Sequence, residues 1–237
     1  MPFTFSHPAI ILPFLKEKKL SATGLIIGSL CPDFEYFIRM KVQSDCSHTF
    51  LGLFFFNLPV GLLFALVFHQ IIKKPFIENL PLFFQNKLTL LKSTKWMDYL
   101  KTNFLNVLLS ILIGAISHVL WDSFTHKSGY FVAQIPFLRL QINSIPLYKI
   151  MQHLSSLIGM IFILYYGYKL PDNKVVAVKS DSKYWIFVVF FSFLFMLIRL
   201  HFGLSFSQIG AIVVSLIGTT ILGIIVASLL FRKTNII

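Results

Sequence analysis

Apolar residues fall in long blocks separated by short polar, lysine-bearing connections. Five blocks approach or exceed the roughly 20 residues that a helix needs to cross a bilayer: 51–72, 104–124, 150–168, 185–204 and 208–231. A sixth apolar stretch, 20–31, is too short to span, and is expected to lie against the bundle or enter it part-way. Pro32 is expected to end that helix, with a second short one over 34–40. The more polar stretch 73–101 has apolar residues at mixed spacing and reads as an interfacial helix. The prediction is an all-α polytopic bundle of about five spans, with short N-terminal interfacial or partly inserted helices. It forms one integral-membrane domain, 1–237, divided into a motif-bearing region 1–50, a core 51–168 and a C-terminal two-span hairpin 169–237.

Composition agrees with the pattern. Hydrophobic residues make up 56% of the chain and charged residues only 13%, about half the share usual in soluble domains. The net charge of +12 would suggest nucleic acid in a soluble protein. Here the lysines sit between apolar blocks, which favours topology setting and contact with anionic lipid, and nucleic-acid binding is set aside. Eight Lys and Arg fall on one side (Lys16, Lys18, Lys19, Arg39, Lys41, Lys127, Arg139, Lys149). Twelve fall on the other (Lys73, Lys74, Lys87, Lys92, Lys95, Lys101, Lys169, Lys174, Lys179, Lys183, Arg232, Lys233). The second side is therefore expected to be cytoplasmic, in a bacterial inner membrane, and the first external. Cys31 and Cys46 have no CxxC spacing and are either free thiols or one bridge.

Chemistry concentrates on the first side. The run Ser117-His118-Val119-Leu120-Trp121-Asp122-Ser123-Phe124-Thr125-His126 puts His118, Asp122 and His126 at i, i+4 and i+8. On a helix these share one stripe, drifting about 40° per step. Ionisable residues at membrane depth usually mark function, although an interhelical hydrogen-bond network is a competing explanation. Asp33 and Glu35 stand in Cys31-Pro32-Asp33-Phe34-Glu35-Tyr36-Phe37, an apolar setting in which a carboxylate needs a partner. Asp33 could equally cap a helix starting after Pro32. His48 lies just before the first span, and His7 precedes Pro8; His153 is a weaker candidate. Alternating spans bring all these residues to one membrane surface. His nitrogens with carboxylate oxygens suit zinc, manganese or iron. No GxSxG, GxxxxGK[ST] or HExxH motif occurs, so those hydrolase, phosphate-loop and zincin chemistries have no support.

The series Ser6-His7-Pro8, Pro32-Asp33-Phe34-Glu35-Tyr36, Ser47-His48-Thr49 and Ser117 to His126 resembles a family of bacterial membrane proteins that begin Met-Pro-Phe-Thr-Phe-Ser-His-Pro and carry a domain of unknown function. More distantly, it is similar to YdjM-like membrane-bound metal-dependent hydrolases and to zinc-dependent phospholipase C. The resemblance implies a divalent-metal centre, with His7, Asp33, His48, His118, Asp122 and His126 as ligands or close neighbours. It also implies hydrolysis of a phosphoester, expected to be lipid or lipid-linked because the site lies at headgroup level. Asp33 and Glu35 are the expected catalytic carboxylates, Glu35 as general base. A structural metal or polar network without catalysis is the alternative, and a transporter a more remote one.

Overall fold

The computed structural model describes residues 3–173 and 179–232; Lys174 and Lys233 of the charge count lie outside them. Five helices among the described residues are long and apolar enough to cross a membrane: Phe50–Glu78 (α2), Phe104–Gln134, Leu147–Lys169 (α7), Ser182–His201 (α8) and Ile209–Leu230 (α9). The second divides into Phe104–Thr125 (α5) and a short Tyr130–Gln134 (α6). A 3-10 segment Thr4–Phe14 and α1, Ala22–Arg39, precede them. The polar stretch after α2 forms two short helices, Leu82–Ser93 (α3) and Trp96–Thr102 (α4). Phe162, Leu164, Phe190 and Phe193 are all exposed, as side chains facing lipid should be. The chain is an all-α polytopic membrane protein.

One small exception is a hairpin. Gln141–Ile142 (β1) pairs antiparallel with Ile145–Pro146 (β2). Asn143 and Ser144 between them have φ of 49° and 66°, the two left-handed positions that a type I′ turn requires.

The residues cluster into two compact units: Met1–Asp33, Asp45–Leu62 and Asn103–Lys169 form the first, and Phe34–Ser44, Leu63–Thr102 and Leu170–Ile237 the second. In the first unit, small residues let α1 and α5 approach closely. Gly24 and Gly28 are one turn apart on α1, and Ser110 and Gly114 one turn apart on α5. A Cβ on Gly24 would lie 2.8 Å from the Ser110 Cβ, and one on Gly28 would overlap the Ile111 carbonyl oxygen. One on Gly114 would overlap the Leu25 carbonyl oxygen. Membrane helices lack a hydrophobic drive toward one another, so close packing of this kind supplies much of the attraction. The start of α1 is tied to the same place: Ser21 N–H donates to Ser110 Oγ at 2.7 Å, and Ser21 Oγ accepts from Gly24 N–H.

The helix does not end at Pro32. It runs on to Arg39 with Pro32 inside, so Asp33 is a helix-interior residue and not a cap. Proline leaves the carbonyl four residues earlier, that of Gly28, without its helical donor. Packing on both sides outweighs that loss. Before Pro32 lie the glycine contacts just described. After it, within the second unit, Phe34 packs on Phe64 at 4.3 Å and Gly218 leaves room for the Phe37 carbonyl. The second unit is otherwise organised by α8 against α9. Gly223 admits the Val188 carbonyl, and the Tyr184 hydroxyl lies 3.0 Å from Ser228 Oγ.

Both cysteines are free thiols. Cys31 is fully buried and donates to the Asn57 carbonyl at 3.4 Å. Burial pushes its thiol well above the ordinary range, and a thiol held protonated is a poor nucleophile. Maleimide treatment of native protein should therefore label Cys46 and leave Cys31 unmodified until denaturant is added. Two adducts at equal rates on native protein would contradict this packing.

Candidate metal centre

Each candidate ligand is delivered by a different local device. The 3-10 segment has three residues per turn, so Thr4 and His7 stack on one face. His7 is fully buried, with Nδ1 3.1 Å from the Thr4 carbonyl. Helix α1 carries Asp33 from its interior. His48 precedes α2 in a turn fixed by three contacts. Thr49 caps α2 by accepting from Gly52 N–H at 3.0 Å. Gly52 has no Cβ to collide with the Cys46 carbonyl. Asn57, buried in a π-helical turn Leu53–Asn57, donates to the Ser47 carbonyl at 2.7 Å. Helix α5 supplies His118 and Asp122 one turn apart. His126 has already left that helix, at its extended C-cap.

Asp33, His48, His118 and Asp122 come together so that one ligand atom from each lies within 4.8 Å of all the others. The separations are regular. Asp33 Oδ1 is 3.6 Å from both His48 Nε2 and His118 Nε2. Asp122 Oδ2 is 3.5 Å from His48 Nε2 and 3.3 Å from His118 Nε2. A tetrahedral ion with bonds of about 2.0–2.2 Å has ligand–ligand edges of about 3.3–3.6 Å. Four of the six edges already have that length. This His/Asp tetrad is capable of holding a divalent metal ion.

Proton placement points the same way. His118 Nδ1 lies 2.7 Å from the Ser29 carbonyl, which can only accept, so Nδ1 carries the proton. A neutral ring would then turn its Nε2 lone pair, fully buried, toward two carboxylate oxygens. Acceptor facing acceptor is repulsive unless a cation stands among them or the ring itself is charged. His7 repeats the arrangement, with Nδ1 on a carbonyl and Nε2 3.1 Å from Asp122 Oδ1. Its ring stacks on that of His118, centroids 3.7 Å apart.

Asp122 is the hub of the centre. Its Oδ2 faces His48 and His118, while its Oδ1 faces His7 Nε2 at 3.1 Å and His126 Nδ1 at 3.3 Å. Four imidazole nitrogens thus surround one carboxylate. Outside the spans, electrostatics follow from these contacts. Burial alone would raise the Asp33 carboxyl, but the charge and hydrogen bonding of His118 and a hydrogen bond from His48 hold it well below the usual carboxylate range. Burial and the neighbouring His118 lower His7. For His48, burial opposes protonation, yet hydrogen bonds to Asp122 and Asp33 outweigh it and raise its pKa.

Two expected residues are placed otherwise. Glu35 accepts from Arg39 Nε at 3.0 Å and Nη2 at 2.9 Å through one oxygen, and from Ser44 through the other. It stands two positions after Asp33 on a continuous helix, where side chains do not share a face. His153 is exposed. Thr4 was not singled out from the sequence, yet its hydroxyl donates to Asp33 Oδ2, which leaves Oδ1 for the tetrad. The usable signal was its position three residues before His7. Orienting hydrogen bonds of this kind are commonly worth 10–100-fold in metal affinity. Thr4→Val should weaken metal binding by about that factor without unfolding the protein; unchanged affinity in a competition titration would remove Thr4 from the centre.

The motif-bearing segments also settle the family. Residues 1–229 match the family model described as Domain of unknown function (DUF4184). The chain belongs to the DUF4184 family. No curated protein and no solved structure matches it. The DUF4184 match covers every residue of the centre, from Thr4 to His126.

Proposed function

We propose that this DUF4184 protein is a membrane-bound metal-dependent hydrolase acting on a phosphoester, lipid or lipid-linked, with zinc as its ion. The observation that carries the proposal is the set of tetrahedral-edge distances among Asp33, His48, His118 and Asp122. A divalent ion held there would act as a Lewis acid and lower the pKa of nearby water. Asp33 and Asp122 supply two negative charges that attract it, and His48 and His118 supply neutral donors. His7 and His126, on the second oxygen of Asp122, are placed to accept or return a proton at the edge of the cluster. Within the same unit, Lys127 and Arg139 line a cavity of about 400 Å³. Lys127 directly follows His126 in the chain, and its positive charge would suit a phosphoryl group. The proton-accepting role expected of Glu35 is left out, because both its oxygens accept from Arg39 and Ser44. The resemblance of the motifs to YdjM-like hydrolases and zinc-dependent phospholipase C is what suggests this chemistry.

One observation favours a second reading. The tetrad alone supplies four ligands, the full complement of a structural zinc site. That reading makes the ion a clamp joining α1, the turn before α2 and α5, without turnover. The discriminating experiment is hydrolysis of bis(p-nitrophenyl) phosphate and of phospholipid vesicles by zinc-loaded protein, beside the Lys127→Gln and His126→Ala variants. Chelator-sensitive turnover that falls in both variants, while their zinc content stays at the wild-type level, supports the hydrolase. Zinc-dependent thermal stability with no turnover of any phosphoester supports the clamp.

A further inference from the structure

The second unit holds a separate cationic cavity. It has a volume of about 480 Å³ and is lined by Lys73, Lys74, Lys92 and Arg232, with Glu78 the one carboxylate in its wall among the described residues. Glu78 is 3.8 Å from Lys92 and offsets one of the four charges. Lys73 is buried and fixed, its Nζ donating to the Thr94 carbonyl at 2.7 Å and to the Thr94 hydroxyl at 3.0 Å. Just before it, His69 stacks on Trp96 with centroids 4.4 Å apart and rings nearly parallel, so one wall is rigid. Lys74 and Arg232 are exposed, leaving positive charge at the mouth.

The position of the cavity selects the anion. It sits where α2 and α9 run out of apolar sequence, at Lys73 and Phe231, and Phe231 and Pro75 form part of its wall. Leu229 and Leu230, immediately before, are exposed. A basic pocket bordered by lipid-facing residues at a helix end lies at headgroup depth, where anionic lipids recruit Lys and Arg. The side is also the one expected to be cytoplasmic from the distribution of Lys and Arg. We propose that this cavity binds the phosphate headgroup of an anionic phospholipid. No residue of it belongs to the metal centre, so the proposal stands or falls independently of the hydrolase.

The test is native mass spectrometry of the detergent-solubilised full chain, titrated with phosphatidylglycerol or phosphatidylcholine. The K74Q/K92Q/R232Q variant alters side chains at the mouth and leaves the buried Lys73 in place, so it should fold. Its phosphatidylglycerol affinity is expected to fall at least tenfold, with weak phosphatidylcholine binding unchanged. K41Q/R199Q, which removes two cations lining a different cavity, should bind phosphatidylglycerol as the wild type does. Equal phosphatidylglycerol affinity in wild type and K74Q/K92Q/R232Q would overturn the proposal. So would an equal loss in K41Q/R199Q, which would mean general charge attraction. Displacement of the lipid by an equal concentration of inorganic phosphate would show a free-anion site and overturn it as well.

Discussion

Replacing Asp122 with alanine is expected to abolish stoichiometric metal binding and with it any metal-dependent activity. Its two oxygens serve four imidazoles, one toward His48 and His118 and the other toward His7 and His126. Removing it opens the tetrahedron and deletes half of the negative charge of the tetrad. Loss of groups that merely orient a ligand costs 10–100-fold in affinity, so loss of this ligand should exceed about a hundredfold. Asp122→Asn should fare little better, since an amide nitrogen would point at one pair of imidazoles in place of an oxygen. Asp98→Ala, an exposed carboxylate on α4, serves as the control and should bind metal normally. The readout is zinc content after dialysis, together with the rise in melting temperature on adding zinc. A zinc-dependent rise in Asp122→Ala equal to that of the wild type would show that the ion, if bound, sits elsewhere.

The second large effect belongs to the helix contact that builds the centre. Gly28→Val would place a Cβ in overlap with the Ile111 carbonyl oxygen and within 2.9 Å of the Ile111 Cα and carbonyl carbon. Backbone cannot rotate away as a side chain can, so α1 and α5 must separate. Overpacking in a well-packed interior typically costs about 1–3 kcal/mol and occasionally more; a backbone clash at a helix crossing belongs at or above the top of that range. Asp33 lies five residues beyond Gly28, and His118 seven beyond Ile111. Separation of the helices therefore lengthens the Asp33–His118 edge and weakens metal binding along with stability. Gly167→Ala is the counterpart. Nothing lies within 4 Å of a Cβ there, and alanine is the better helix former by about 1 kcal/mol, so it should be neutral or stabilising. Equal melting temperatures for Gly28→Val and wild type in detergent would mean that the two helices do not pack as described.

The contrast between these two sites shows what the sequence made legible. The spans were readable because their signal is length and composition, which tertiary context does not alter. The His118–Asp122 pair was readable because it lies inside one helix, where the period places residues four apart on one face. Beyond that helix, the periodic reading failed at its edge: His126 reaches Asp122 from an extended cap, not from a third turn. Pro32 misled because its local signal for a helix end is real, but packing on both sides of it is stronger. Thr4 was missed because its alignment with His7 depends on a 3-10 segment, where the period is three. The hairpin at 141–146 was missed because Asn143-Ser144 is a weaker turn signal than an Asn-Gly pair. The partners of Glu35 were only half legible: the i+4 spacing to Arg39 was visible, whereas the approach of Ser44 required the turn after α1.

The central claim is that Asp33, His48, His118 and Asp122 hold one divalent ion, and X-ray absorption at the zinc edge on protein purified in detergent and reconstituted with zinc tests it most directly. The account predicts tightly retained zinc with an all-nitrogen-and-oxygen shell at about 2.0–2.2 Å, imidazole scattering from histidine, and no sulfur, since Cys31 is held at the Asn57 carbonyl. Failure to retain zinc, manganese or iron after reconstitution, or a shell containing sulfur, would contradict it.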